Sequence, residues 1–118
     1  MQVFLQLWEY NNWANNALFT LFNNYGQKVP ANSFRLLSHI VNAQLNWANR
    51  IDGITHPVAL WDTLDLDTIK RIHTQTSQSL RAALDKHDLQ DSFSYANSQG
   101  QTFENTLFDM LLDRKSVV

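Results

Sequence analysis

NSFRLLSHIVNAQLNWANRI, residues 32–51, is the stretch that decides the fold. At 100° per residue its apolar side chains cover an arc of about 200°, which is typical of a helix packed against two or three neighbours. The opposite, polar side carries Arg35, Ser38 and Asn42. His39 lies at the border between the two sides. Gln44 points into the apolar arc, so it needs a buried hydrogen-bond partner.

Three further segments carry helical periodicity. The first spans about residues 3–24 and stops before Gly26 and Pro30. The third spans about residues 67–86, and the fourth begins near Thr102 as its N-cap. For the helix of residues 32–51, the expected N-cap is either Asn32 or Ser33. We expect most of the aromatic residues, including Trp13 and Trp47, to pack in the core.

The connections between these helices predict their directions. The connection between the first two helices is short, so they should be antiparallel neighbours. The connection DGITHPVALWDTLDL, residues 52–66, is long enough to run the length of a bundle, so the second and third helices can be parallel. The segment DSFSYANSQGQTF, residues 91–103, alternates aromatic and small residues around a turn and can form a small hairpin. Together these features predict an all-α fold, a four-helix bundle in a single domain over residues 1–118.

Composition excludes several classes of function. The chain of 118 residues has a net charge of −2 and no cysteine, so thiolate metal sites, cysteine nucleophiles and disulfides are excluded. Because there is no basic run, we expect no nucleic acid as a partner. No apolar run is long enough for a membrane span, and the first residues are unlike a signal peptide. We expect no membrane contact and a cytoplasmic location.

Three segments in this order carry a resemblance to a known family. They are YNNWANN (residues 10–16), LLSHIVNAQLNWANRIDG (residues 36–53) and FSYANSQGQTFENTLFDMLL (residues 93–112). Over about residues 5–112 the chain resembles the DinB/YfiT-like family. The resemblance implies an up-down-down-up bundle with a long crossover between helices 2 and 3. It also implies a divalent metal (Zn, Ni or Fe) held by three histidines, the first of which matches His39, and homodimers as partners.

The sequence departs from the family at the fourth helix. The resemblance implies an HxxxH pair there, with its first histidine near position 117, where this chain has Val117. No two of the four histidines lie three or four residues apart, so none supplies such a pair. The chain therefore reads as a family member truncated before the C-terminal HxxxH. We expect a metal at His39 to bind weakly or to be absent.

Two functions remain open. The first is a non-catalytic helical domain of unassigned specific activity that lacks a complete metal site. Such a domain would form a homodimer through the exposed apolar surface of helices 1 and 2, and it can bind a small-molecule ligand. The second is a divalent-metal-dependent enzyme, such as a thiol-dependent transferase or hydrolase, that uses His39 as a metal ligand. The amides Asn11, Asn12, Asn15 and Asn16 face either a cavity or solvent. No catalytic residue can be assigned.

Overall fold

The computed structural model describes residues 2–54, 59, 61–97 and 99–112. Within these residues the chain forms four α-helices and one antiparallel hairpin. The elements are α1 (Gln2–Tyr25), a 3₁₀ turn (Gly26–Lys28), α2 (Ala31–Asp52), α3 (Leu66–Lys86), β1 (Ser92–Ala96), β2 (Thr102–Thr106) and α4 (Leu107–Leu112). No described helix combines the length and apolar character that crossing a bilayer requires.

Contacts between side chains give the directions of the three long helices. On α1, Phe22 lies against Phe34 near the start of α2, whereas the earlier residue Asn11 bonds Gln44 further along α2, so the two helices are antiparallel. The closest backbone neighbour of α1 is α3, however, and α3 is antiparallel to it as well. The helices α2 and α3 therefore run parallel, and we call the segment that joins them in sequence, residues 53–65, the crossover.

The ends of the long helices are set by local chemistry. The side chain of Asp65 accepts a hydrogen bond of 2.7 Å from the amide of Thr68 and caps α3, and these bonds from Thr68 hold the pKa of Asp65 below its ordinary value. Gly53 ends α2 in the left-handed conformation, with φ of 75°. The predicted N-caps of α2 are wrong. Its N-cap is Pro30, which fixes an extended backbone conformation before the first turn.

The prediction of an all-α four-helix bundle is wrong, because residues 92–106 form a two-stranded antiparallel sheet. Tyr95 faces Phe103 across the two strands, and their rings stack with centres 5.7 Å apart. The hairpin itself was predicted, but the fourth helix was expected to begin near Thr102. Instead Thr102 is the first residue of β2, and α4 begins five residues later. At the start of α4 the Thr106 hydroxyl accepts a hydrogen bond from the backbone amide of Asp109.

The hairpin docks on the C-terminal part of α2 through Arg50. Its guanidinium carbon lies 4.8 Å from the ring centre of Trp47 and 4.4 Å from that of Tyr95 on β1. Burial lowers the pKa of Arg50, although the nearby Tyr95 raises it. The backbone amide of Leu107 also donates to the carbonyl oxygen of Asp91, which fixes the start of α4 beside the start of β1.

Within the described residues, the core divides into two apolar clusters. One lies where the hairpin and α4 meet the C-terminal parts of α2 and α3, and it consists of Trp47, Ala48, Ile51, Leu80, Ala83, Leu107 and Met110. The other lies at the opposite end of the three long helices and consists of Phe19, Phe22, Leu37, Val41 and Ile69. The space between them is bordered by polar side chains.

Candidate functional site

His39, the metal ligand suggested by the sequence, is buried where α2 meets the crossover. Its imidazole stacks face to face on the indole of Trp61, with ring centres 3.6 Å apart and 10° between the planes. Arg35 lies one turn earlier on α2, and its guanidinium carbon is 4.5 Å from the centre of the same indole. The imidazole is therefore held by stacking against the crossover.

The neighbours of His39 on α2 also bind the crossover. The amide of Leu64 donates to the Ser38 hydroxyl at 3.0 Å, and the Asn42 amide donates to the carbonyl oxygens of Ala59 and Asp62 at 3.1 and 3.3 Å. Both side chains are buried although the helical wheel places them on the polar side, because the crossover covers that side. We call Ser38, His39, Asn42 and Trp61 the crossover clamp.

The described histidines lie in three different environments. His39 belongs to the crossover clamp, His73 contacts Phe19 in the interior, and His87 lies 3.4 Å from Asp91 after the end of α3. His56 falls outside the described residues. Over residues 2–54, 59, 61–97 and 99–112, no three His, Cys, Asp or Glu side chains are grouped so that they could hold a metal ion.

A layer of polar side chains lies between the two apolar clusters. The Gln44 amide donates to the side-chain oxygen of the partly buried Asn11 at 3.4 Å, so Gln44 has a hydrogen-bond partner. The Ser77 hydroxyl donates to the side-chain oxygen Oδ1 of Asn12 at 2.7 Å, and the Trp8 indole donates to the backbone carbonyl of Ser77 at 2.9 Å. We call this set the polar layer; its members are Asn11, Asn12, Asn15, Gln44, His73, Thr76 and Ser77.

Two buried nitrogen atoms of the polar layer lack a hydrogen-bond partner among the described residues. They are Nδ2 of Asn15, on a side chain that is 4% exposed, and Nδ1 of His73, on a side chain that is 3% exposed. The His73 ring meets Phe19 edge to face, with centres 5.3 Å apart. Because burial opposes the charged form, the pKa of His73 is lowered and the neutral imidazole is favoured.

The sequence indicated this layer only in part. Of the four amides on α1, Asn11, Asn12 and Asn15 are at least half-buried and Asn16 is exposed. The interior position of His73 was missed. The sequence contains one indication of this position. His73 lies at helical spacing among residues of α3 that are buried, which are Ile69, Thr76 and Leu80.

An apolar groove opens beside the polar layer. It has a cavity volume of about 40 Å³ and lies between α1, α3 and α4, with walls formed by Phe4, Leu7, Trp8, Asn11, Leu80, Leu84 and Leu111. Asn11 belongs to both the groove and the polar layer. Its amide therefore gives the apolar groove a polar edge.

The outward side of α1 carries a second apolar face. We call its line of side chains at heptad spacing the outer stripe; it consists of Val3, Leu7, Tyr10, Ala14, Ala17 and Leu21. The exposed fractions of Val3, Leu7, Tyr10 and Leu21 are 63%, 45%, 64% and 49%. Trp13 flanks the stripe at 67% exposure, so its predicted place in the core is wrong, whereas Trp47 is buried as predicted.

Comparisons of the chain with protein-family models, with curated proteins and with solved structures give no match. The crossover clamp, the polar layer, the groove and the outer stripe are the features of this chain that bear on its function.

Proposed function

We propose that this chain is a self-associating helical domain that acts as a homodimer through the exposed apolar surface of α1 and the neighbouring part of α2. The observation that carries the proposal is the outer stripe. α1 has 24 residues, and Glu9 is its one charged residue. A solvated helix face normally carries charged side chains, whereas an uncharged apolar face is typical of a surface that a partner covers.

α2 also exposes apolar side chains. Leu36 and Ile40 lie one turn apart on this helix and are 46% and 41% exposed. Large apolar side chains exposed singly are ordinary, whereas several exposed together on one helix face favour an interaction site. Leu36 and Ile40 lie away from the crossover clamp, which covers the side of α2 that carries Ser38 and Asn42.

We also propose that the chain is related to the DinB/YfiT-like family. Its support is the three sequence segments described above together with the parallel α2 and α3 joined by a crossover. Under this relationship His39 is the residue that matches a metal ligand. Its stacking on Trp61 supports a structural role for the imidazole in this chain. The dimer is thus the better supported of the two functions.

The test of the homodimer is the molar mass in solution. We expect light scattering at micromolar concentration to give about twice the chain mass of 13.7 kDa. Leu21→Glu should raise the dissociation constant at least about a hundredfold, since burying an unpaired carboxylate at an interface costs several kcal/mol. Asn23→Glu is the matched control, because Asn23 is an exposed polar residue of the same turn and lies off the stripe. A monomeric wild-type chain would contradict the proposal.

A second candidate function is the binding of a small apolar molecule in the groove. The groove is lined mainly by apolar side chains, and Asn11 supplies a polar group at its wall. Titration with a naphthalene-sulfonate dye should change the tryptophan fluorescence, and Trp8→Phe should remove most of this change. An unchanged response in Trp8→Phe would place the dye elsewhere.

A further inference from the structure

The outer stripe has an internal symmetry that specifies how two copies would pair. Its residues follow alternating steps of four and three along the chain, which is the spacing of a coiled-coil seam. At 100° per residue they lie within an arc of about 80°, so they form one narrow line of side chains along the helix.

Large and small residues are distributed unevenly along this line. The N-terminal half carries Val3, Leu7 and Tyr10, and the C-terminal half carries Ala14, Ala17 and Leu21. The stripe positions form three pairs that share the midpoint 12, namely 3 and 21, 7 and 17, and 10 and 14. If the helix meets an antiparallel copy of itself there, Tyr10 faces Ala14, Leu7 faces Ala17 and Val3 faces Leu21.

We infer that the partner of the outer stripe is a second copy of this chain, with the two α1 helices antiparallel and the two-fold axis at the level of residue 12. In this arrangement Tyr10 and Leu7 each meet an alanine, and Val3 meets Leu21 at the two ends, so the seam can fill evenly and is the same on both copies. A parallel pair in register would place Tyr10 against Tyr10 and Ala14 against Ala14, which crowds one level and leaves a gap at the next.

The size and charge of the surface fit this occupant. With exposed fractions of 45% to 67% at the large positions, the stripe and the flanking Trp13 offer on the order of 600 to 800 Å² of surface, close to what each partner of a standard interface buries. The one charged residue of α1, Glu9, lies about 120° from the centre of the stripe. It therefore stays outside the seam, and no like charges oppose the pairing.

This inference rests on the proposed homodimer, and cysteine cross-linking can test the two separately. The chain contains no cysteine, so single thiols can be placed without background. Leu7→Cys and Ala17→Cys are prepared with tags of different mass, each oxidised alone and then oxidised after the two are refolded together. Circular dichroism of each variant checks that it folds.

We expect a cross-linked dimer only in the mixture, joining Cys at position 7 to Cys at position 17. In the antiparallel pair the two copies of position 7 lie about 15 Å apart along the axis, which is too far for a disulfide. Asn16→Cys, on the polar side of α1, is the control and should not cross-link with either variant.

The other outcomes separate the two ideas. Efficient cross-linking of Leu7→Cys alone would indicate parallel helices and overturn the antiparallel pairing. A dimeric mass without cross-links in the mixture would place the interface on another surface, so this inference would fail while the proposed homodimer stands. A monomeric mass for the wild-type chain would overturn both.

Discussion

Replacing His73 with leucine should stabilise the protein. The imidazole is 3% exposed, and its Nδ1 has no hydrogen-bond partner within the described part of the chain. Leaving such a group buried costs about 1 to 3 kcal/mol. Leucine removes that cost but loses the edge-to-face contact with Phe19, which contributes about 0.5 to 1.5 kcal/mol. The expected net gain in the free energy of unfolding is about 1 kcal/mol, or about 3 to 5 °C in Tm.

The gain should grow in acid. Because the pKa of His73 is lowered by burial, the unfolded chain binds this proton more readily than the folded chain. The stability contributed by the neutral imidazole is therefore complete above about pH 6.5 and is lost as the pH falls below it. His73→Leu lacks this dependence. Its advantage over the wild type should be larger at pH 5.5 than at pH 7.5.

The assay is urea unfolding followed by tryptophan fluorescence at both pH values. His87→Leu is the control, because His87 lies after α3 beside Asp91 and outside the polar layer. When His87→Leu is added to both the wild type and His73→Leu, the difference in stability between the two proteins should stay the same. A loss of more than about 1 kcal/mol in His73→Leu at pH 7.5 would show that the imidazole makes a strong interior hydrogen bond, and the reasoning would then be wrong.

Two further predictions concern the crossover clamp. Ser38→Ala should lower the free energy of unfolding by about 1 to 3 kcal/mol, because the amide of Leu64 loses its hydrogen-bond acceptor. Hydrogen exchange at the Leu64 amide should therefore accelerate. Unchanged exchange at this amide would contradict the role of Ser38. Elemental analysis of purified protein should find zinc, nickel and iron well below a full equivalent per chain, because His39 stacks on Trp61 and lies in no described group of three ligands. A full equivalent that disappears in His39→Ala would instead restore the metal-dependent enzyme as the leading function.

Helical periodicity predicted the long helices well. The predicted ranges 3–24, 32–51 and 67–86 match α1, α2 and α3 to within one or two residues at each end. Gln44 was correctly predicted to need a partner, since an amide in an apolar arc requires one. These predictions succeed because each depends on local spacing and on the cost of burying a polar group, and both can be read from one segment.

The errors arise where a partner element decides the outcome. Thr102–Thr106 can begin a helix by local capping signals, but pairing with Ser92–Ala96 makes it a strand. Ser38 and Asn42 look solvated on a helical wheel, and the crossover buries them. Trp13 is apolar enough for a core position, yet it lies on the face of α1 that points away from α3. Such outcomes depend on which elements meet, and periodicity in one segment does not encode this.

The candidate site was harder to predict than the fold. The family resemblance suggested His39 as a site residue, but in the structure its side chain stacks on Trp61. The polar layer instead consists of amides of α1 together with residues of α2 and α3. The residues that meet there are separated by 33 to 65 positions. No local motif links such distant positions, so their proximity follows only from the antiparallel packing of α1.

The bond between Asn12 and Ser77 constrains how this sequence can diverge. Replacing Asn12 alone by leucine would leave the Ser77 hydroxyl without its acceptor, and replacing Ser77 alone would leave the side-chain oxygen of Asn12 without its donor. Replacing both by apolar residues of similar volume can be nearly neutral. Divergent forms of this chain should therefore change the two positions together, and a double-mutant cycle should give a coupling energy of about 0.5 to 3 kcal/mol. The packing of α1 on α3 would then be visible as covariation between two distant positions.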